Sequence, residues 1–123
     1  GTGSVAPVVR DALRAACAPV IIVADRLPAT VSTGDAIALD VHLVSDRRVP
    51  VEGTVDVTVR WQDPDGGDQR HRWRFAGAID PDAVVRVGTV QFEIEPGVGD
   101  VTLEATGDFG ADRPRYTDRT PRT

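Results

Sequence analysis

Thr54-Val55-Asp56-Val57-Thr58-Val59-Arg60-Trp61, Asp63-Pro64-Asp65-Gly66-Gly67-Asp68 and Arg70-His71-Arg72-Trp73-Arg74-Phe75 together decide the fold. In the first arm a period of two puts Val55, Val57, Val59 and Trp61 on one face, with Thr54, Asp56, Thr58 and Arg60 on the other. Strict alternation is the mark of a half-buried strand. The second arm repeats it, with His71, Trp73 and Phe75 against Arg70, Arg72 and Arg74. The residues between the arms carry Asp-Pro and Asp-Gly turn chemistry, so the whole reads as a β-hairpin.

Outward from the hairpin the period persists. Ile37, Leu39, Val41 and Leu43 alternate with Ala36, Ala38, Asp40 and His42; Val101, Leu103 and Ala105 make a later strand; Val20–Val23 is an earlier β-branched run. Val85 and Val87 lead through Gly88 to Val90, Phe92 and Ile94, and the apolar face changes phase at the glycine, which predicts a β-bulge. Thr33-Gly34-Asp35, Asp80-Pro81-Asp82 and Pro96-Gly97-Val98-Gly99 punctuate the strands. About seven short strands predict an all-β, immunoglobulin-like antiparallel sandwich over residues 19–110. It would hold by packing, because the one cysteine, Cys17, has no internal partner.

The ends read differently. Val5, Val8, Val9, Ala12, Leu13 and Ala16 recur at helical spacing, Pro7 suits a first helical turn and Pro19 ends the segment. Residues 1–18 are therefore expected to hold a cloning scar, Gly1-Thr2-Gly3-Ser4, and a short helix. Apart from Ala111, residues 111–123 are Thr, Pro, Asp and Arg with one aromatic, Tyr116, and predict a flexible tail.

Length and charge bound the function. At 123 residues the chain is one domain and too short for a (β/α)₈ barrel, which takes roughly 250 residues. With 14 basic and 19 acidic side chains the net charge is −5, against the basic footprint of nucleic-acid binders. No apolar run approaches the length of a membrane span. All the basic residues are arginine, which fits a GC-biased coding sequence, and methionine is absent, from which the chain is expected to be a piece of a longer protein. A single cysteine requires no oxidising compartment, and a cytoplasmic setting is expected.

Candidate sites are few. Glu93 and Glu95 lie on one strand face, roughly 7 Å apart by strand geometry. They share the solvent phase rather than facing each other across a cleft as glycosidase carboxylates do. The Asp63 loop offers Asp65 at the third position of a calcium loop but fails at the fifth, sixth and twelfth, which are Gly67, Asp68 and Arg74. His42 and His71 are the only imidazoles, both are expected at the surface or rim, and no nucleophile elbow exists. Trp61 and Trp73 share the phase of the core valines, flank the same hairpin and are expected to pack inside as cross-strand neighbours rather than to stack on sugars. No catalytic, cofactor or metal residue is assigned. Arg70, Arg72 and Arg74 form an outward row, read either as a solvated face or as a docking face for an acidic neighbouring domain or ligand.

One resemblance emerges from these residues. Ala12-Leu13-Arg14-Ala15-Ala16-Cys17-Ala18-Pro19-Val20 resembles the join in β-mannosidase-like family 2 glycoside hydrolases, where the catalytic barrel passes into a C-terminal sandwich. Leu39–Asp46 is similar to a strand of that sandwich, with Ser45 where the family has asparagine. Trp61, Trp73 and the Val85–Gly88 stretch fall where such domains carry similar residues, so the likeness covers roughly residues 8–107. The resemblance implies a non-catalytic accessory domain of a hydrolase involved in carbohydrate metabolism. Its partner would be the barrel of its own parent chain, and carbohydrate would reach it only through that enzyme. The family's catalytic glutamates belong to the barrel, and no position here matches them. The alternative is a stand-alone immunoglobulin-like module that binds glycan or protein; a stand-alone enzyme is the least supported.

Overall fold

The computed structural model describes residues 20–123, and the expected helix, Cys17 and the scar lie outside them. Seven strands follow in order: β1 (Val20–Ala24), β2 (Ala36–Ser45), β3 (Val51–Gln62), β4 (Asp68–Ile79), β5 (Val84–Glu93), β6 (Val98–Asp108) and β7 (Arg115–Thr120). They form two antiparallel sheets, ordered β1-β2-β5 and β4-β3-β6-β7. The chain crosses between sheets after β2, β4 and β5. The β2–β5 and β3–β6 pairs thereby interlock as Greek-key connections, as in an immunoglobulin-like sandwich.

Period-two alternation builds the core. Ile37, Leu39, Val41 and Leu43 of β2 face Val55, Val57, Val59 and Trp61 of β3, joined by Val90, Val101, Leu103 and Ala105, and all are buried. The bulge falls where the phase change predicts it: Val41 pairs with Gly88 and His42 with Arg86, leaving Val87 unpartnered. Gly88 is required by the neighbouring sheet. A Cβ there would stand 2.4 Å from the Phe75 ring, so the aromatic of β4 closes directly onto bare backbone of β5.

Residues 111–123 are not the flexible tail expected of them. Arg115–Thr120 is β7, paired residue by residue with β6 from Thr106↔Arg115 to Val101↔Thr120. Its sequence, Arg-Tyr-Thr-Asp-Arg-Thr, carries almost no apolar period because it is an edge strand held by backbone pairing and polar side chains. Just before it, Asp112 is buried and accepts the Arg47 guanidinium, Nε at 2.8 Å and Nη2 at 2.7 Å, tying the β2–β3 loop to the β6–β7 loop. Ser45 is buried too, and its Oγ accepts the Arg47 N–H at 3.1 Å.

Candidate functional site

The β3–β4 register sets the outer face of the four-stranded sheet. Closing the hairpin at Gln62↔Asp68 places Arg60 opposite Arg70, Thr58 opposite Arg72 and Asp56 opposite Arg74. The hairpin loop is rigidified from within. Asp63 Oδ1 accepts the N–H groups of Asp65 at 2.9 Å and Gly67 at 2.8 Å, while Oδ2 accepts Gln69 Nε2 at 3.2 Å. These donors, Gly67 foremost, hold the Asp63 carboxyl below its ordinary pKa. Gly66 takes φ +88°, a left-handed conformation that favours glycine. The Asp63 carboxylate is thus an Asx-type loop clamp, engaged by its own chain rather than turned toward a cation.

The row of Arg70, Arg72 and Arg74 is exposed along β4, as its phase predicts, yet its members differ. Arg74 Nε donates to Asp56 Oδ1 at 2.7 Å, and that carboxylate raises the guanidinium pKa. On the same sheet Arg115 pairs with Glu104, and Arg119 approaches Asp100 at 3.4 Å. Arg70, Arg72 and Arg60 have no such pair among the described residues. Two of these three, Arg60 and Arg70, line a cleft of about 460 Å³ at the hairpin end of the face, with Gln62, Asp68, Val98 and Asp100 around them. Arg60 escapes a row-by-row reading because it lies on β3. Counting back from the hairpin loop would have paired it with Arg70.

The remaining candidates are dispersed. Trp61 is 7% exposed, so neither face of its indole is open to a sugar ring. Trp61 and Trp73 are not direct cross-strand neighbours: His71 sits between them, with ring centroids 4.9 Å and 6.0 Å away, and Trp73 continues the row to Phe92 at 5.9 Å. His71 is therefore half-buried among aromatics rather than at a rim, while His42 lies on the other sheet, on β2. Glu93 and Glu95 are both exposed, Glu93 as the last residue of β5 and Glu95 beyond it. Among the described residues no three His, Cys, Asp or Glu side chains gather as a metal site.

No protein-family model matches the sequence, and no curated protein matches it. Solved structures do. The Pseudomonas fluorescens alkylpurine DNA glycosylase AlkC, bound to DNA containing an abasic site analogue, is 16% identical over 86% of this chain with TM-score 0.64. Spo0M, a sporulation control protein of Bacillus subtilis, is 15% identical over 85% of this chain with TM-score 0.59. This chain spans 31% of the first and 49% of the second. AvmM, which catalyses macrocyclization in alchivemycin A biosynthesis, is 11% identical over 85% of this chain and 88% of its own, with TM-score 0.51. The likeness is one of fold. None of the three is a family 2 glycosidase domain, and their functions differ from one another, as befits a scaffold that hosts many sites.

Proposed function

We propose that this chain is a non-catalytic β-sandwich module that works by docking, with the outer face of its four-stranded sheet set against an acidic surface. The observation that carries this reading is the cluster of Arg60, Arg70 and Arg72, exposed and without a carboxylate in salt-bridge range among the described residues. Like charges directly opposed across a strand pair weaken a sheet. Here Arg60 and Arg70 are so opposed while Arg74, Arg115 and Arg119 of the same sheet are matched. An anionic partner relieves that repulsion, which is why local cost and docking fit together. In the form that the sequence resemblance implies, the acidic surface belongs to the catalytic barrel of a family 2 glycosidase.

Two measurements test the proposal. Calorimetric titration with poly-L-glutamate at low salt should show binding that falls steeply as salt is added. Replacing Arg60, Arg70 and Arg72 together by Ser should weaken it about tenfold or more, whereas replacing the paired Arg74, Arg115 and Arg119, an equal loss of charge, should cost less than about threefold. Equal losses in the two variants would overturn docking at this cluster. The glycosidase form is tested in the native gene. It requires a coding region upstream of the Val5 codon long enough for a barrel of roughly 250 residues, with glutamates at the ends of two strands. A start codon directly upstream would end that form and leave docking to stand by itself.

A further inference from the structure

The sandwich has two open sides, and they are finished differently. Where β1 meets β7, residues 25–31 run across the gap: the Leu27 N–H donates to Asp118 Oδ2 at 2.9 Å, the Thr120 hydroxyl donates to the Pro28 carbonyl, and Val31 exchanges backbone bonds with Pro121 and Thr123. Where β4 meets β5, no hydrogen bond crosses the gap among the described residues. Trp73 and Phe75 of β4 and Val85, Val87 and Phe92 of β5 pack there, and all five remain only partly buried. β4 itself is a twelve-residue edge strand, paired with β3 alone. An edge strand presents a row of unpaired backbone N–H and C=O groups.

We propose that this flank takes an extended segment of a partner polypeptide, added to β4 as a further strand, in which acidic and apolar residues alternate. The proposal rests on the docking reading above and names its partner. An added strand shares the period of two. Carboxylates at every second position, roughly 7 Å apart, stand opposite Arg70 and Arg72 on the outer face. The residues between them turn inward over the uncovered edges of Trp73 and Phe75, and apolar side chains suit that surface. A second copy of β4 is the wrong occupant, because β4 against β4 would set one arginine row beside another. Arg74 contributes less than its neighbours, since Asp56 already holds it.

The test uses two labelled synthetic peptides of one composition, the first alternating Glu and Val, the second with its Glu residues grouped at one end. Fluorescence anisotropy should show the alternating peptide binding at least about tenfold tighter, since grouping breaks the match to the strand period. Amide hydrogen exchange should slow at alternate residues of β4 on binding, and Arg70→Ser with Arg72→Ser should abolish the preference for alternation while leaving the fold intact by circular dichroism. Equal affinities for the two peptides, with no protection along β4, would overturn strand addition yet leave docking at the arginine cluster standing. Failure of the alternating peptide to bind also overturns strand addition. If poly-L-glutamate fails to bind as well, the docking reading falls with it. Concentration-dependent dimerisation with protection of β4 in the absence of peptide would mean that a second copy is the occupant, and would overturn the proposal.

Discussion

The two flanks of this sandwich use opposite means at the same structural problem, the line where two sheets end. On the β1–β7 side an irregular segment covers the line, burying Leu27 and Val31 and fastening itself to residues some ninety positions away in sequence. On the β4–β5 side only side chains meet, with aromatics left partly open and arginines guarding the outer edge of β4. Tyr116 on the strapped side is itself only partly buried, and that burial, with Asp118 adding to it, pushes its phenol pKa up. A covered flank spends its surface on folding, whereas an uncovered one keeps backbone and apolar surface for another chain.

The largest expected effect separates the buried from the open end of the aromatic row. Trp61→Ala should cost about 3 to 5 kcal/mol in urea-unfolding free energy, because it removes a large buried side chain. Trp73→Ala should cost clearly less, as its ring is already partly in water. Equal costs would mean that the open flank packs into the core as tightly as the rest. A smaller contrast sets the strap against the exposed outer face of β5. Leu27→Ala, under the strap, should cost about 2 to 4 kcal/mol, while Val84→Ala, 65% exposed on β5, should stay within about 0.5 kcal/mol. Thermal melts of the two variants side by side decide it, and a destabilising Val84→Ala would show that the outer face of β5 is covered.

What was legible in the sequence follows the same division. The inward rows of β2, β3, β4 and β6 and the bulge beside Gly88 were readable because side-chain burial imposes a period of two on β-branched and aromatic residues. β7 was not, since Arg115–Thr120 is an edge strand whose pairing is made by backbone groups that every residue carries. The strap was equally silent. Residues 25–31 have no period, and their partners Asp118 and Thr120 are named only by the fold. For the site, Arg70, Arg72 and Arg74 were readable as an outward row, but their separate fates were set by what stands across the hairpin, Arg60 and Thr58 on one hand and Asp56 on the other.

Weakening the strap without emptying the core gives the next effect. Asp118→Ala leaves the Leu27 N–H without its acceptor, a loss of about 1 to 3 kcal/mol for a part-buried donor. Hydrogen exchange at Leu27 and Val31 should quicken while the amides of β3 keep their protection. Uniform quickening throughout the sandwich would show that the strap is part of the global folding unit rather than a local closure.

The smallest effect belongs to the hairpin that frames the open flank. Asp63 has a lowered pKa in the folded chain because loop N–H groups, Gly67 first, stabilise its charged form. A depressed carboxyl pKa contributes stability that is present above the ordinary value of 3.8 and is lost as pH falls through the folded value. Acidification below about pH 4 should therefore loosen the loop before it unfolds the sandwich. The Gly67 and Asp65 amide resonances should shift with a midpoint below that of an ordinary aspartate, and Asp63→Asn should remove the transition while keeping the fold. The group lies in a surface loop, so the change should be read in local exchange at Gly66 and Gly67 rather than in global melting. A midpoint at or above the ordinary value would show that the clamp does not form in solution, and the rigid hairpin that holds Arg60 opposite Arg70 would lose its anchor.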